Sequence, residues 1–197
     1  MEIQNNKEEI PFSYYADLLS KADPADITAR TGIPCENGIF RITLLGNEYS
    51  VGVDAHNEAQ KTHLPVQTFL IRYLLEGKTV PSTGAWKTFR EMPWGELYIK
   101  PYTGRVLTRA AFTFGTRLAA FKAACEKMGA TAVNHGDAGY EFSFIGDYKV
   151  RILVWEGDEE FPPNAQILYS DNFETGFAPE DRVVTGDILI TAIKSAM

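Results

Sequence analysis

The sequence has few of the residues on which disulfide, metal and membrane arguments depend. Its 197 residues include two cysteines and three histidines. No run approaches the roughly 20 consecutive apolar residues that a membrane-spanning helix needs. The first residues, MEIQNNKEEIPF, lack the basic start and apolar stretch of a signal peptide. We therefore expect a cytoplasmic protein with two free thiols and no membrane contact.

Several catalytic motifs are missing as well. The chain contains no G-x-S-x-G elbow and no G-x-G-x-x-G turn, so serine acyl transfer and Rossmann-type dinucleotide binding lack support. The Gly-Lys-Thr of EGKTV follows a predicted helix instead of a strand, which argues against a phosphate loop. His56 and Glu58 resemble the His-x-Glu of zinc deaminases, but paired cysteines are absent downstream and His63 is the only other histidine nearby. We predict no cofactor and no metal site.

What the chain does contain is charge of opposite sign in two blocks. Residues 78–127 hold nine basic and three acidic side chains, a balance of +6, whereas residues 137–187 hold three basic and twelve acidic side chains, a balance of -9. Opposite blocks in one chain predict that one docks on the other. The acidic block would repel phosphate, which argues against nucleic acid as a partner.

The pattern of apolar residues predicts an α+β fold. A chain of this length with 45% hydrophobic residues can close one core, so we predict a single domain over residues 1–197. Helices are predicted over residues 8–21, 23–32, 64–76, 106–128 and 179–196. Two antiparallel β-hairpins are predicted around Gly46-Asn47 and Gly146-Asp147, in one sheet or in two. About four to six helices would pack against them, and residues 81–105 are predicted to be irregular with short helical turns.

The two hairpins resemble each other. TLLGNEYSVGV and FSFIGDYKVRI are each followed by acidic residues and then by a hydrophobic residue and a proline, Leu64-Pro65 or Phe161-Pro162. An internal duplication and a chance similarity of composition both fit this pattern.

The predicted helix over residues 106–128 carries an apolar stripe. Its members follow alternating steps of four and three residues: Leu107, Ala111, Phe114, Leu118, Phe121, Cys125 and Met128. Gly115 weakens the centre of the helix by ~1 kcal/mol relative to alanine. The stripe predicts that Cys125 is buried and inert, whereas Cys35, in the IPCENG loop, should react readily.

The segment VWEGDEEFPPNAQILYSD, residues 154–171, gathers Glu156, Asp158, Glu159 and Glu160 within five positions. Such a turn can bind calcium or magnesium, can hold a proton for acid-base catalysis, or can pair with a cationic surface. Its spacing fits no EF-hand loop, and acidic surface turns are common. We therefore favour a structural or partner-pairing role over a metal or catalytic one.

A second segment, STGAWKTFREMPWGELY, combines aromatic rings with arginine. The rings of Trp86, Phe89, Trp94 and Tyr98 are the usual components either of a core or of a pocket for a planar or anionic ligand, and Arg105 and Arg109 follow them in the chain. Arg90 lies among bulky residues, where a guanidinium needs a carboxylate or a ligand anion. We predict that Arg90 pairs with a carboxylate of residues 156–160 or with Asp171, so that the two segments touch.

Together the two segments resemble the signature segments of the domain of unknown function 3786 family, cytoplasmic proteins of anaerobic bacteria and archaea. The resemblance covers roughly residues 10–195 and singles out Gly84, Trp86, Phe89, Arg90, Gly95, Tyr98, Trp155, Asp158, Glu160, Phe161, Pro162, Leu168 and Asp171. It implies no established activity, although it implies a link to corrinoid and one-carbon metabolism. This chain lacks the four-cysteine iron-sulfur module of some relatives. It also has Trp94 and Ala178 where the family pattern implies a glycine and a polar helix cap.

These observations favour a binding or accessory protein over an enzyme. Its ligand would be a small anionic or planar molecule, or a protein partner. The predicted site, here called the aromatic-acidic seam, comprises Trp86, Phe89, Arg90, Trp94, Tyr98, Trp155, Asp158, Glu160 and Asp171. The alternative is a hydrolase-like enzyme that uses Asp158, Glu160 and Asp171 as acid, base or metal ligands.

Overall fold

A computed structural model describes residues 6–54 and 64–197, and the histidines weighed as zinc ligands, His56 and His63, lie outside these ranges. The contacts of the chain form two compact units, Met1–Thr79 and Val80–Met197, each described below by itself. The single domain expected from chain length stays a prediction. No helix in the described ranges is long and apolar enough to cross a membrane.

In its described residues, the first unit contains three strands and three helices. They are α1 (Asn6–Ser20), α2 (Pro24–Thr31), β1 (Cys35–Glu36), β2 (Ile39–Leu44), β3 (Asn47–Gly52) and α3 (Leu64–Glu76). The strands pair antiparallel in the order β1-β2-β3. The caps predicted for α2 are confirmed: the Asp23 carboxylate accepts the Ala25 N–H at 2.9 Å, and Gly32 ends the helix with φ 73°.

The first hairpin forms, but its turn is one residue earlier than predicted. Leu44 pairs with Asn47, so the two turn residues are Leu45 and Gly46, and not Gly46 and Asn47. Both have positive φ, 49° and 78°, which is the geometry of the tight turn that matches strand twist. Asn47 therefore belongs to β3, and Leu45 takes a left-handed conformation that a leucine rarely adopts.

The second unit contributes five strands that pair with one another. Its strands are β4 (Trp86–Thr88), β5 (Thr131–Ala132), β6 (Ala138–Ile145), β7 (Tyr148–Trp155) and β8 (Asn164–Ser170). Its helices are α4 (Gly95–Tyr102), α5 (Arg109–Phe114), α6 (Leu118–Lys127), α7 (Phe173–Gly176) and α8 (Pro179–Ala196), with a π-helix over Thr103–Thr108.

The strands of this sheet are all antiparallel, in the order β5-β6-β7-β8-β4. Alternate side chains such as Val150, Ile152, Ile167 and Tyr169 are fully buried on one face. Helix α5 contacts β7 and β8, and α6 contacts β6 and α8. The α+β class and the hairpin at Gly146-Asp147 are confirmed, whereas β4 lies in the segment that was predicted to be irregular.

The single helix predicted over residues 106–128 is wrong, because the chain leaves the helix between α5 and α6. Arg117 has the non-helical angles φ -140° and ψ 45°. A Cβ on Gly115 would lie 2.4 Å from Cβ of Pro163, so the helix meets another segment closely at this glycine. The apolar stripe still directs Phe114, Phe121 and Cys125 into the core.

The helix before it is irregular at Pro101. This proline lies inside α4 and has no N–H to donate to the carbonyl four residues earlier. The chain continues as the π-helix from Thr103, a common response to a broken hydrogen-bond ladder. Together, α4 and the π-helix position the side chains of the site described next.

The two thiols are expected to differ in reactivity. Cys125 is fully buried. Its burial and, to a smaller extent, the negative charge of the neighbouring Glu126 raise the pKa of the thiol above its usual range. Cys35 is half-buried. We expect one thiol per chain to react quickly with Ellman's reagent under native conditions and two to react in urea. A Cys35→Ser variant should show no fast phase, and equal native rates for both thiols would contradict the buried position of Cys125.

Candidate functional site

The two segments of the predicted seam do touch, through their backbones. Strand β4 pairs antiparallel with β8, so that Trp86 lies opposite Ser170 and Thr88 opposite Leu168. At the end of this pairing the Asp171 N–H donates to the Ala85 carbonyl at 3.1 Å. The contact between the segments is confirmed, but main-chain hydrogen bonds form it.

Asp171 holds the loop before β4. Its carboxylate accepts hydrogen bonds from the Ser82 hydroxyl at 2.5 Å and from the Thr83 hydroxyl at 2.5 Å. These bonds, from Ser82 and then Thr83, keep the pKa of Asp171 below its usual value. The residue is therefore an ionised structural anchor.

The lowered pKa of Asp171 predicts a pH dependence. Its interactions stabilise the fold above the unfolded-state pKa of about 4, and this contribution is lost as the pH falls through the lower folded-state pKa. An Asp171→Asn variant should thus be less stable than the wild type at pH 7. The difference in the free energy of unfolding between the two proteins, called the gap below, should disappear in acid. Urea unfolding of both proteins across this range measures it. A gap that is constant with pH would contradict the anchor role.

The predicted partner of Arg90 is wrong. Its guanidinium lies 2.8 Å from the carboxylate of Glu96, six positions along the same segment, and both side chains are well exposed, at 60% and 70%. The sequence argument failed because it assumed burial among bulky neighbours. An exposed arginine keeps its hydration and needs no distant carboxylate.

The seam does not form one site. Trp155 lies opposite Asn164 at one end of β8, whereas Trp86 lies opposite Ser170 at the other end. Six residues of strand separate these positions by about 20 Å. Asp158 and Glu160 follow Trp155 and are therefore far from Asp171, so the three carboxylates of the enzyme hypothesis do not converge.

The acidic turn has a local structure of its own. The Asp158 carboxylate accepts the N–H groups of Glu160 at 2.8 Å and Phe161 at 2.7 Å, and the Asp158 N–H donates to the Phe161 carbonyl at 2.9 Å. Among the described residues no cation forms a salt bridge with Glu156, Asp158, Glu159 or Glu160. The prediction that the basic block docks on this turn is wrong.

Opposite charges do pair elsewhere. Lys87 lies 2.6 Å from Glu174, and Asp187 pairs with both Arg105 and Arg109. Each of these contacts joins the basic block to the acidic block. Docking of the blocks is therefore confirmed, with Glu174 and Asp187 as the acidic partners.

We still predict that the acidic turn does not bind divalent metal ions. Within the described ranges, no three Asp, Glu, His or Cys side chains are grouped so as to hold a metal ion, and one oxygen of Asp158 is occupied by backbone donors. Calorimetry with calcium, magnesium, manganese and zinc should detect no binding at the turn tighter than about 1 mM. Micromolar binding that disappears in Asp158→Asn would contradict this.

Trp86 has a partner at the sheet. The Arg151 guanidinium lies 3.9 Å from the centroid of its ring, and the same guanidinium donates to Glu141 at 2.8 and 3.0 Å. Trp86 is thereby held in a cation-π contact on the sheet. It is not among the residues that line the cavity described below.

Three aromatic residues of the seam do come together, in a cavity of about 450 Å³. The α4 side supplies Phe89, Trp94, Leu97 and Tyr98, the π-helix supplies Arg105, and α8 supplies Pro179, Glu180 and Val183. Trp94, Leu97 and Tyr98 are 68%, 77% and 45% exposed. Leu97 and Tyr98 lie on α4 and Trp94 immediately precedes it, so three exposed apolar side chains line this side of the cavity.

Trp94 has an unusual backbone. It precedes α4 with φ 68°, a conformation that costs a non-glycine residue roughly 1–2 kcal/mol. This is the position at which the family resemblance implies a glycine. Gly95 follows it, and a Cβ there would lie 1.9 Å from the Phe89 carbonyl oxygen. The close turn from Phe89 to Gly95 thus places the exposed indole of Trp94 at the edge of the cavity, on a strained backbone.

Two buried side chains, those of Tyr102 and Arg182, stabilise the turn from Phe89 to Gly95. The Phe89 ring stacks on Tyr102 with centroids 4.0 Å apart. The guanidinium of Arg182, which is 2% exposed, donates to the carbonyls of Pro93 at 2.8 Å, Glu174 at 3.0 Å and Phe177 at 3.1 Å. Arg182 therefore connects the residue before Trp94 to the start of α8, the two sides of the cavity. Ala178 is the N-cap of α8 and supplies no side-chain cap.

An arginine pair lies at the cavity. Arg105, which lines it, and Arg109, four positions later, both contact the Asp187 carboxylate of α8. Arg109 also donates to the Thr191 hydroxyl at 2.8 Å. The Asp187 side chain is 18% exposed, whereas that of Arg105 is 54% exposed. The ion pair with Asp187 therefore restrains Arg105, while about half of the Arg105 side chain is exposed to solvent.

Sequence reasoning placed Arg105 and Arg109 beside the aromatic segment but left both out of the predicted seam, and it missed Asp187 and Arg182 as site residues. The spacing of Arg105 and Arg109 was a usable signal, since residues four apart share a helix face. The partner of that pair could not be read, because Asp187 lies on a helix far along the chain. Arg182 resembled a surface charge in the sequence, and only its burial reveals its role.

Fold and site together define an α+β protein with an antiparallel sheet and a cavity that aromatic side chains and an arginine line. The chain belongs to the family described as Domain of unknown function (DUF3786), whose model matches residues 23–192. Comparison with curated proteins and with solved structures gives no match.

Proposed function

We propose that the protein is a binding protein whose small-molecule ligand occupies the cavity between α4 and the start of α8. The supporting observation is the exposure of the apolar side chains of Trp94, Leu97 and Tyr98 beside Arg105. A stable fold gains nothing from exposing these side chains, whereas a planar ligand would bury them. The volume of about 450 Å³ is typical of sites for single organic molecules.

The strain at Trp94 supports the same proposal. A glycine would adopt φ 68° without cost, so a tryptophan at this position lowers the stability of the fold. Strained, exposed residues are concentrated at binding sites. The corrinoid and one-carbon metabolism that the family resemblance implies is the setting in which we propose to look for the ligand. A cavity of this volume suits a single ring system with a substituent, which is smaller than a whole corrinoid.

Native mass spectrometry of protein isolated from its own host tests the proposal. We expect a small molecule to accompany the wild type and to be absent from a Trp94→Gly variant, because glycine removes the indole. The variant should be as stable as the wild type or more stable by about 1 kcal/mol, since the left-handed strain is relieved. Urea unfolding measures that part of the prediction.

Trp155→Phe is the matched control, because it removes a tryptophan at the far end of β8 and should retain the bound molecule. A wild-type protein that carries no small molecule would contradict the proposal. So would a Trp94→Gly variant that carries the same molecule in the same amount, since the ligand would then lie elsewhere.

A further inference from the structure

We infer that the ligand of this cavity is a planar aromatic monoanion of the carboxylate type, selected by the positive charge that Arg105 and Arg109 share over Asp187. This inference rests on the proposed function and specifies the chemistry of its ligand. Three features of the cavity lead to it: its walls, its charge and the availability of donors on Arg105.

The side chains that line the cavity favour a ligand with a planar apolar ring system. Phe89, Trp94, Leu97 and Tyr98 provide three aromatic rings and one aliphatic side chain on the α4 side. Aromatic rings prefer other rings in stacked or edge contacts. Pro179 and Val183 close the α8 side with apolar surface, so the body of the ligand meets few hydrogen-bonding groups.

The charge of the arginine pair requires an anion. Two guanidinium groups share one carboxylate, that of Asp187, which leaves the cluster with one net positive charge. Glu180 also lines the cavity and takes part in an interaction within the protein, so the single surplus charge is a count of the arginine cluster alone. A single surplus charge matches a carboxylate. A phosphate monoester carries about -1.5 to -2 charges and would need further donors.

Arg105 has N–H groups that are not hydrogen-bonded within the described residues and can donate to a ligand. A guanidinium carries five N–H groups, and only the Nη2 of Arg105 has a bonded partner among the described residues, the Asp187 carboxylate. The remaining donors can accept a carboxylate in the forked geometry that arginine favours. Because Asp187 holds the side chain in place, little rotamer freedom is lost on binding.

Arg109 acts from outside the cavity as a positioning residue. It neutralises Asp187 and is itself fixed by Thr191 at 2.8 Å. Without Arg109, the Asp187 charge would offset that of Arg105, and the preference of the cavity for anions would weaken. Its contribution should therefore appear in the discrimination between charged and neutral ligands, and not in the affinity for an apolar ring.

Calorimetry with naphthoate, naphthamide and naphthyl phosphate on the full chain tests the inference. We expect naphthoate to bind the wild type tightest, about ten- to a hundredfold better than the neutral amide, which is typical of a charge-assisted hydrogen bond. Arg105→Gln should abolish this preference, so that naphthoate and naphthamide bind the variant with similar affinity. Arg109→Gln should reduce the preference by about three- to tenfold.

Arg117→Gln is the matched control. It removes the same charge from an exposed arginine whose guanidinium donates to the Thr113 carbonyl and which does not line the cavity. Its ligand preference should equal that of the wild type.

Equal binding of naphthoate and naphthamide, or tighter binding of naphthyl phosphate, would overturn the monoanion while the co-purified ligand could still support the proposed function. Failure of all three compounds to bind the wild type would also overturn the inference. The mass spectrometry of the Trp94→Gly variant would then decide the proposed function separately.

Discussion

Replacing Gly95 by alanine is expected to lower the free energy of unfolding by about 3 kcal/mol or more. The new Cβ would lie 1.9 Å from the Phe89 carbonyl oxygen and 2.8 Å from its carbonyl carbon. Backbone atoms cannot rotate away as a side chain can, so the turn from Phe89 to Gly95 must open. Urea unfolding followed by circular dichroism measures the loss.

Gly104→Ala is the control for this substitution. Gly104 lies in the π-helix, and a Cβ there meets nothing within 4 Å. Alanine should be neutral at this position or stabilising by about 0.5–1 kcal/mol, because it restricts the unfolded chain. Similar stabilities of the two variants would mean that the close turn before α4 is not formed as described.

Replacing Arg182 by methionine is expected to cost about 3 kcal/mol. The substitution leaves the carbonyls of Pro93, Glu174 and Phe177 without their donor in a buried place, and each unsatisfied group costs about 1–3 kcal/mol. The removal of a buried charge returns part of this cost. We expect the loss of stability to be accompanied by a change in Trp94 fluorescence, since Pro93 precedes it.

Arg117→Met separates burial from hydrogen bonding. The guanidinium of Arg117 also donates to a carbonyl, that of Thr113 at 3.0 Å, but in an exposed position. Water replaces that donor, so the cost should stay under about 1 kcal/mol. An equal cost at both arginines would show that the three buried carbonyls find other partners, and Arg182 would not be the link between Pro93 and α8.

Local signals in the sequence predicted the local structure well. The caps at Asp23 and Gly32 and the turn at Gly146-Asp147 depend on residues within a few positions of one another. Short sequence motifs were therefore enough to predict them. The break between α5 and α6 was not, because Gly115 owes its role to Pro163, a neighbour in space alone. Strand β4 is only three residues long, and its partner β8 decides its conformation.

The candidate site was predicted only in part for the same reason. The segment with Phe89, Trp94 and Tyr98 was recognised by its composition, and these three residues line one cavity. Its charged partners were misassigned: net charge placed the acidic residues in the correct half of the chain but could not distinguish Asp187 from the carboxylates of residues 156–160. Helix phase and sheet register determine that distinction, and both emerge from tertiary packing.

The pairing of β4 with β8 imposes an order on the biosynthesis of this protein. Trp86 gains its strand partner only when Ser170 has been synthesised, and the cavity gains its second wall only when Val183 has emerged. Contacts between such distant positions form slowly, because a long loop must close first. A nascent chain therefore carries exposed apolar side chains at α4 for much of its synthesis, and a chain competent to bind in this cavity has been made at least as far as Val183.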